Sequence, residues 1–449
     1  MVPKRVTAPQ VDPAPLREPL AFAFSGRVAP NRILKGAMTE RLSTWDPKVL
    51  EKRGIPTTEL INVYRRWGQG GFGVLLTGNV MIEYDHLESP GCAIIPRGSP
   101  FSGERFEAFR AMASVSKKHG SLVIAQVSHP GRQVYSSVQQ NPISASDVQL
   151  NMNRMGMSFA KPRAMEKEDF ANVIEGFAHA AEYLHRAGYD GIELHGAHGY
   201  LLAQFLSPTT NKRTDQYGGS LMNRARIIFE INDAIRARVP KSFIVSIKLN
   251  SVEFQDGGFS TQDCTDLCAA LEESGFDFVE LSGGTYEAGA FYHRKESTKK
   301  REAFFLEFAD IIVPGLNRTK VYVTGGFRTT SGMVKALDTV HGVGLGRPVC
   351  DEFDLPQKIL NGEVHGAIEV LIDQADTTMT NMAAGTQIRL VSRDLQPLDL
   401  SREDHMEVFL ESRKKWLEMM ASNQDWSRYG FVDILGLQEK AYGTEYPRL

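Results

Sequence analysis

The sequence predicts a (β/α)8 TIM barrel, an α/β fold, carrying a C-terminal, mainly helical extension. Three observations lead there. Eight short apolar runs punctuate the first 360 or so residues, helical stretches separate them, and polar residues stand just beyond the ends of the runs. Eight strands each followed by a helix is the barrel's count, whereas a doubly wound sheet uses five or six strands and a Gly-rich first turn.

The runs are RILKGAM (32–38), GVLLTGNV (73–80), LVIAQVS (122–128), GIELH (191–195), IVSIKLN (244–250), FVELSGG (278–284), VYVTGG (321–326) and GVGLGR (342–347). Continuous apolar, β-branched stretches of this length suit strands buried on both faces of a parallel sheet. Between them, ERFEAFRAMASVSKKHG (104–120) and EDFANVIEGFAHAAEYLHRAG (168–188) space apolar residues at i, i+3 and i+4. Both end on a glycine suited to a helix C-cap, Gly120 and Gly188. STQDCTDLCAALEESG (260–275) starts at Ser260, an N-cap residue, and closes at Gly275. The division predicted is a flexible, Pro-rich lead-in at 1–20, a barrel at 21–360, and an extension at 361–449 packed on the barrel or on a partner subunit. Within that extension SREDHMEVFLESRKKWLEMMA (401–421) reads as an amphipathic helix and the remainder as a polar, aromatic tail.

Composition narrows the function classes. Hydrophobic residues make up 42% and charged residues 23%, as in soluble globular chains. A formal charge of −3 gives no basic field for nucleic acid. No apolar run reaches the ~18 residues of a membrane-spanning helix. Cys92, Cys264, Cys268 and Cys350 are too scattered for a disulfide framework, which fits a reducing, cytoplasmic setting.

A barrel gathers the residues past its strand ends at one mouth. Here these are Thr39, Gly78, Gln126, His195 with His198, Lys248, Ser282 to Gly284, Gly325 with Gly326, and Gly346 with Arg347. The glycines and Arg347 at the last strands form an anion signature. Glycine lets backbone N–H groups approach an anion, and a guanidinium grips phosphate bidentately. GQGGFG (68–73) satisfies a dinucleotide-binding pattern, but it follows a helix and enters a strand, so it reads as a helix-ending loop.

The stretch IELHGAHGY (192–200) admits three readings. His195 and His198 could share a metal with His129, although SHPGR brings no acidic or thiolate companion. They could fill a core. Or two imidazole N–H donors could converge on one carbonyl or nitro oxygen while Tyr200, with an ordinary pKa of about 10, protonates a strongly basic carbanion. The third arrangement suits reduction, since nothing here activates a nucleophilic water. No metal is expected.

The longer stretch HGAHGYLLAQFLSPTTNKRTDQYGGSLMNR, followed through PNRILKGAMT, QVSHPGR, VTGGF and GLGRP in order, resembles the old yellow enzyme family of FMN-containing NAD(P)H:flavin oxidoreductases and ene-reductases. The similarity covers about residues 20–360. It implies a TIM barrel with non-covalent FMN at its mouth, NADH or NADPH as transient reductant, and a small enone-type substrate reduced at its C=C bond. The alternative is an NADH oxidase or pathway-specific redox activity on the same flavin. By the resemblance, His195 and His198 grip the substrate oxygen and Tyr200 protonates the α-carbon after hydride reaches the β-carbon. Ala37, Met38, Thr39 and Gly78 contact the flavin ring, and Gln126 its pyrimidine edge. Gly325, Gly326, Gly346 and Arg347 cradle the phosphate, with Ser282 and Gly283 on the neighbouring turn. Two positions depart from the pattern: Lys248 replaces an arginine beside flavin N1, and Arg41 stands where some members place a substrate-side tyrosine. Tyr286 and Tyr292, in the loop after SGG, either close over the substrate or pack their own loop. A homo-oligomer is also implied, with a tail arginine, Arg428 or Arg448, reaching a neighbour's site.

Overall fold

The structure is a computed structural model describing residues 3–152, 158–253, 255–284, 305–423, 426–444 and 446. Eight parallel strands form its centre: β1 (Ile33–Lys35), β2 (Val74–Met81), β3 (Leu122–Ser128), β4 (Gly191–Gly196), β5 (Ile244–Asn250), β6 (Phe278–Ser282), β7 (Lys320–Thr324) and β8 (Gly342–Leu345). Neighbours pair in sequence order, and β8 pairs back to β1 through Leu345↔Lys35, closing the barrel. The helices on the outer ring are α1 (Thr58–Gly68), α2 (Gly103–Lys117), α3 (Lys167–Arg186), α4 (Leu201–Leu206), α5 (Leu221–Arg236), α6 (Thr261–Glu273), α7 (Leu306–Ile312), α8 (Thr330–Ala336) and α9 (Leu355–Leu360).

The strands are buried on both faces. Val123, Ile192, Val245 and Val279 pack outward in the main core with helix residues such as Phe177 and Ile231. Leu34, Leu76, Ile124, Ile244, Phe278 and Tyr322 form a second cluster, which Leu20 and Phe22 join from the short hairpin at 20–29. Gly120 and Gly188 take φ of +96° and +93°, the left-handed conformation that ends a helix. The Ser260 hydroxyl caps α6 by accepting from the Asp263 N–H at 3.1 Å. The run GQGGFG forms the turn from α1 into β2. A Cβ on Gly70 would stand 2.2 Å from the Phe353 carbonyl oxygen, so glycine there reflects close backbone packing.

The structure departs from the sequence reading in three places. The runs ending SGG, TGG and GLGR stop being strand at Ser282, Thr324 and Leu345. At the second of these Gly325 and Gly326 have φ of +128° and +93°, outside the β region. The lead-in is docked: the Arg5 guanidinium pairs with both Glu352 oxygens at 2.7 Å, the Val6 N–H donates to Ala367 O, and Leu16 is fully buried. The extension contains α10 (Thr377–Ser392), which the sequence reading missed, besides α11 (Glu403–Ala421). Ile372, Met382, Leu390, Leu398, Leu400, Phe409 and Val432 give the extension a small core. No helix among the described residues is long and apolar enough to cross a membrane.

Candidate functional site

Strand alternation sends every second side chain into the barrel. Near the carboxyl ends of β3 to β6 that face carries charge. The Lys248 ammonium donates to the Glu280 carboxylate at 2.8 Å, and the Gln126 amide donates to Glu193 at 2.7 Å; all four side chains are buried. Burial, reinforced by the neighbouring Glu280 and opposed by Lys248, raises Glu193 well above the usual carboxylate range. The same burial that raises Glu193 disfavours a second full negative charge beside Glu280, the carboxylate that Lys248 pairs with.

His195 closes β4, and Tyr200 is the N-cap of α4, its ring 4.3 Å from that of His195. His198 lies between them with φ of +59°, a left-handed backbone that a side chain other than glycine rarely takes. Its ring doubles back on His195: the two planes cross at 85°, and His195 Nε2 and His198 Nδ1 are 3.1 Å apart. Burial above all, with Lys248 nearby, depresses both imidazoles, His198 to about 3, so each is neutral at physiological pH.

Neutral rings allow the protons to be placed. The Asn79 amide donates to Glu88 at 2.9 Å, which turns its carbonyl oxygen toward His195 Nδ1 at 2.7 Å. His195 must therefore carry its proton on Nδ1 and present a lone pair at Nε2. His198 donates to that lone pair from Nδ1, and the Ser282 hydroxyl donates to His198 Nε2 at 2.9 Å. The Thr39 hydroxyl completes the series by donating to Glu88 at 2.9 Å. From Ser282 through His198, His195 and Asn79, and from Thr39, the hydrogen bonds run one way and end on Glu88. This corrects the expected clamp: the histidines offer one donor and one acceptor, not two converging donors.

Several ring-side candidates are also engaged. The Gly78 N–H donates to Glu40 and to the Tyr64 hydroxyl, both at 2.9 Å, and a β-bulge lies between Leu76 and Asn79. Tyr64 in turn bonds Glu40. Ala37 and Met38 line the adjoining turn half-buried. Next to them Lys35 is fully buried with its ammonium 4.0 Å from the Trp67 ring, and burial lowers it to about 8.

The glycines of β7 and β8 fit a phosphate. Gly325, Gly326 and Gly346 are half-exposed at the mouth, and the first two have positive φ, so no side chain blocks an anion's approach to their backbone N–H groups. Thr324 Oγ1 is buried there without a partner. Lys248 supplies a cation at the layer below, so the residues present fit FMN. Arg347 instead reaches toward the extension, donating to the Thr380 hydroxyl at 2.5 Å. Ser282 is committed to His198, and Gly283 packs against Phe305. Tyr286, Tyr292 and Arg448 lie outside the described residues. Arg428 lines a cavity beside its own chain's rim.

His129 joins neither His195 nor His198. It meets Glu83 and His86, whose ligating atoms lie within 4.8 Å of one another. The Gly131 N–H donates to His129 Nδ1 at 3.0 Å, so the proton sits on Nε2, facing Glu83 at 3.5 Å. That leaves His129 no lone pair for a metal, and the group is an ion pair of Glu83 with His86 beside a neutral His129.

Glu193, Glu280, Asn79 and Glu88 were all missed from sequence. Glu193 and Glu280 could have been found, since each stands two residues before a named strand-end residue on the same inward face.

The chain matches the NADH:flavin oxidoreductase / NADH oxidase family over residues 16–364. It is 50% identical over 413 residues to an NADH-dependent flavin oxidoreductase, nadA, of Aspergillus parasiticus, covering 92% of this chain and 93% of the relative. It is 35% identical over 367 residues to the NADH-dependent flavin oxidoreductase iccE of Talaromyces variabilis, covering 76% and 85%. Among solved structures, an old yellow enzyme homologue from Zymomonas mobilis superimposes with a TM-score of 0.63 at 21% identity, over 82% of this chain and 96% of that one.

Proposed function

The chain belongs to the NADH:flavin oxidoreductase / NADH oxidase family and is an FMN-dependent oxidoreductase; from that premise we propose that it reduces a C=C bond conjugated to an oxygen function, with Tyr200 as proton donor. The observation that supports this reading most is the packing of Tyr200 on His195 beside a second neutral imidazole at the end of β4. Bound FMN would supply the two-electron exchange between NADH and the acceptor.

The rest falls to the chain's own residues. His198 binds a substrate carbonyl by turning its Nδ1–H from His195 Nε2 to the incoming oxygen. That exchange costs little, because one buried hydrogen bond replaces another. His195 then accepts from a hydroxyl on the ligand or from water. Tyr200 holds its proton until negative charge develops on the α-carbon. Lys248, buried and paired with Glu280, would place an ammonium group where negative charge accumulates on the reduced flavin.

The test is anaerobic reduction of the purified yellow protein by NADH, followed by a screen of oxidants. Bleaching by NADH and rapid recovery with enones or quinones is the expected result. A bleached protein that oxygen restores quickly, and that no conjugated alkene restores, would overturn the reading in favour of an oxidase.

A further inference from the structure

A cavity of about 480 Å³ lies between the barrel rim and the C-terminal extension, outside the His195 group. Its size falls in the ~300–1,000 Å³ range of pockets that enclose a small-molecule ligand. Arg41, Arg389, Arg393 and Arg428 line it against the carboxylates Glu59 and Asp433, an excess of two positive charges in a chain of net −3. Asp433 holds Arg389 bidentately at 2.7 and 2.9 Å and Arg393 at 2.9 Å, which fixes two of the guanidinium planes. Trp416 and Tyr429 add aromatic surface, and Phe431 stacks on the Arg41 guanidinium at 4.7 Å.

The cavity adjoins the mouth. Arg41 is two residues beyond Thr39, a reach of about 7 Å. The tail is anchored across the rim, where the Trp426 ring stacks on Tyr135 at 5.5 Å and its indole N–H donates to Ser137 at 2.8 Å. Arg41 and Trp426 both adopt positive φ, so the chain holds unfavoured backbone on both sides of this junction.

A nicotinamide dinucleotide entering the mouth ring-first leaves its diphosphate and adenosine outside the barrel. The sequence offers no dinucleotide-binding turn to hold them, since the segment at 68–73 is a helix-ending loop. We propose that the cavity between rim and extension binds the adenosine diphosphate half of NADH, its arginines taking the two phosphates and its aromatic residues the base. Guanidinium forks match phosphate oxygens, and aromatic faces accept any base. The inference rests on nicotinamide as the reductant and adds where selectivity for the dinucleotide comes from.

The test compares NADH with reduced nicotinamide mononucleotide, which lacks the adenylate half, on the FMN-loaded enzyme, and measures ADP binding by calorimetry. The expected kcat/KM is at least about tenfold higher for NADH, ADP competes with NADH, and Arg428→Ala and Trp416→Ala each remove most of that advantage while mononucleotide turnover is unchanged. Equal kcat/KM for the two reductants, or ADP binding that Arg428→Ala does not weaken, would overturn it. So would ADP that leaves the NADH dependence alone and raises the KM of an anionic acceptor, which would place the acceptor's own anionic end in the cavity. If dithionite bleaches the flavin and neither nicotinamide does, the reductant assignment fails and not the cavity alone.

Discussion

Replacing Asn79 by alanine removes the carbonyl oxygen that holds the His195 proton on Nδ1, and its consequence can be worked from the structure. In the native chain a ligand oxygen that can only accept, such as a phenolate, takes the His198 Nδ1–H and gains a second donor only if the His195 proton moves to Nε2. Moving it there breaks the 2.7 Å bond to Asn79, whose amide cannot turn over because it donates to Glu88 at 2.9 Å. The loss of one buried hydrogen bond, with its acceptor stranded, costs about 1–3 kcal/mol. A central figure of about 1.4 kcal/mol is a tenfold penalty on the Nε2–H form. Asn79→Ala abolishes that penalty, so phenolate titrated against the FMN enzyme and followed by flavin absorbance is expected to bind about tenfold tighter. The same change leaves Glu88 short of a donor and lowers stability by about 1–3 kcal/mol. Unchanged or weaker phenolate binding in the variant would refute the tautomer argument. So would nitrogen NMR of the labelled native protein showing the His195 proton on Nε2.

Three further outcomes follow from other parts of the site. Tyr200→Phe is expected to slow acceptor reduction by about 10²–10⁴-fold and to leave flavin reduction by NADH unchanged in stopped-flow measurements; equal slowing of both halves would remove Tyr200 as the proton donor. Lys248→Met strands Glu280 beside Glu193 in the barrel and should cost about 3–5 kcal/mol in denaturant unfolding, with Lys248→Arg recovering most of it; a loss below about 1 kcal/mol would show that the pair is not a buried ion pair. His86 is pulled down by burial, but its bonds to Asp85 and Glu83 outweigh this and carry it up to about 9. A raised pKa stabilises fully below about 6.5 and the gain is lost as pH climbs through 9, so stability should fall by up to about 3 kcal/mol across that window. His86→Asn should flatten the profile, and a profile equally steep in the variant would assign the effect elsewhere.

The barrel was legible because its strands are buried on both faces and so read as unbroken apolar runs. LVIAQVS and IVSIKLN coincide with β3 and β5 to the residue. The runs overshot where they ended in glycine, since a glycine such as Gly325 continues an apolar run in sequence yet leaves the β region in space. The helix α10 was missed for the opposite reason. TTMTNMAAGTQIRLVS is buried on nearly every side, from Thr380 to Ser392, so no polar stripe marks its period. Composition also misled at the N-terminus, where proline suggested flexibility although Arg5 and Leu16 are held by residues more than 300 positions on or by the core.

By itself the sequence determined the fold class, the mouth, and which residue types meet there, because strand alternation and strand ends follow local rules. It also carried the resemblance that the family match bears out. Only the tertiary structure decided what those residues offer. A neutral imidazole can donate from either nitrogen, and for His195 the choice belongs to Asn79, 116 residues away, which Glu88 orients in turn. The same holds for Arg347, drawn to Thr380 in the extension, and for the arginines that the tail gathers beside Arg41. Proton position and charge focus depend on partners brought together by folding, and no local pattern of residues encodes them.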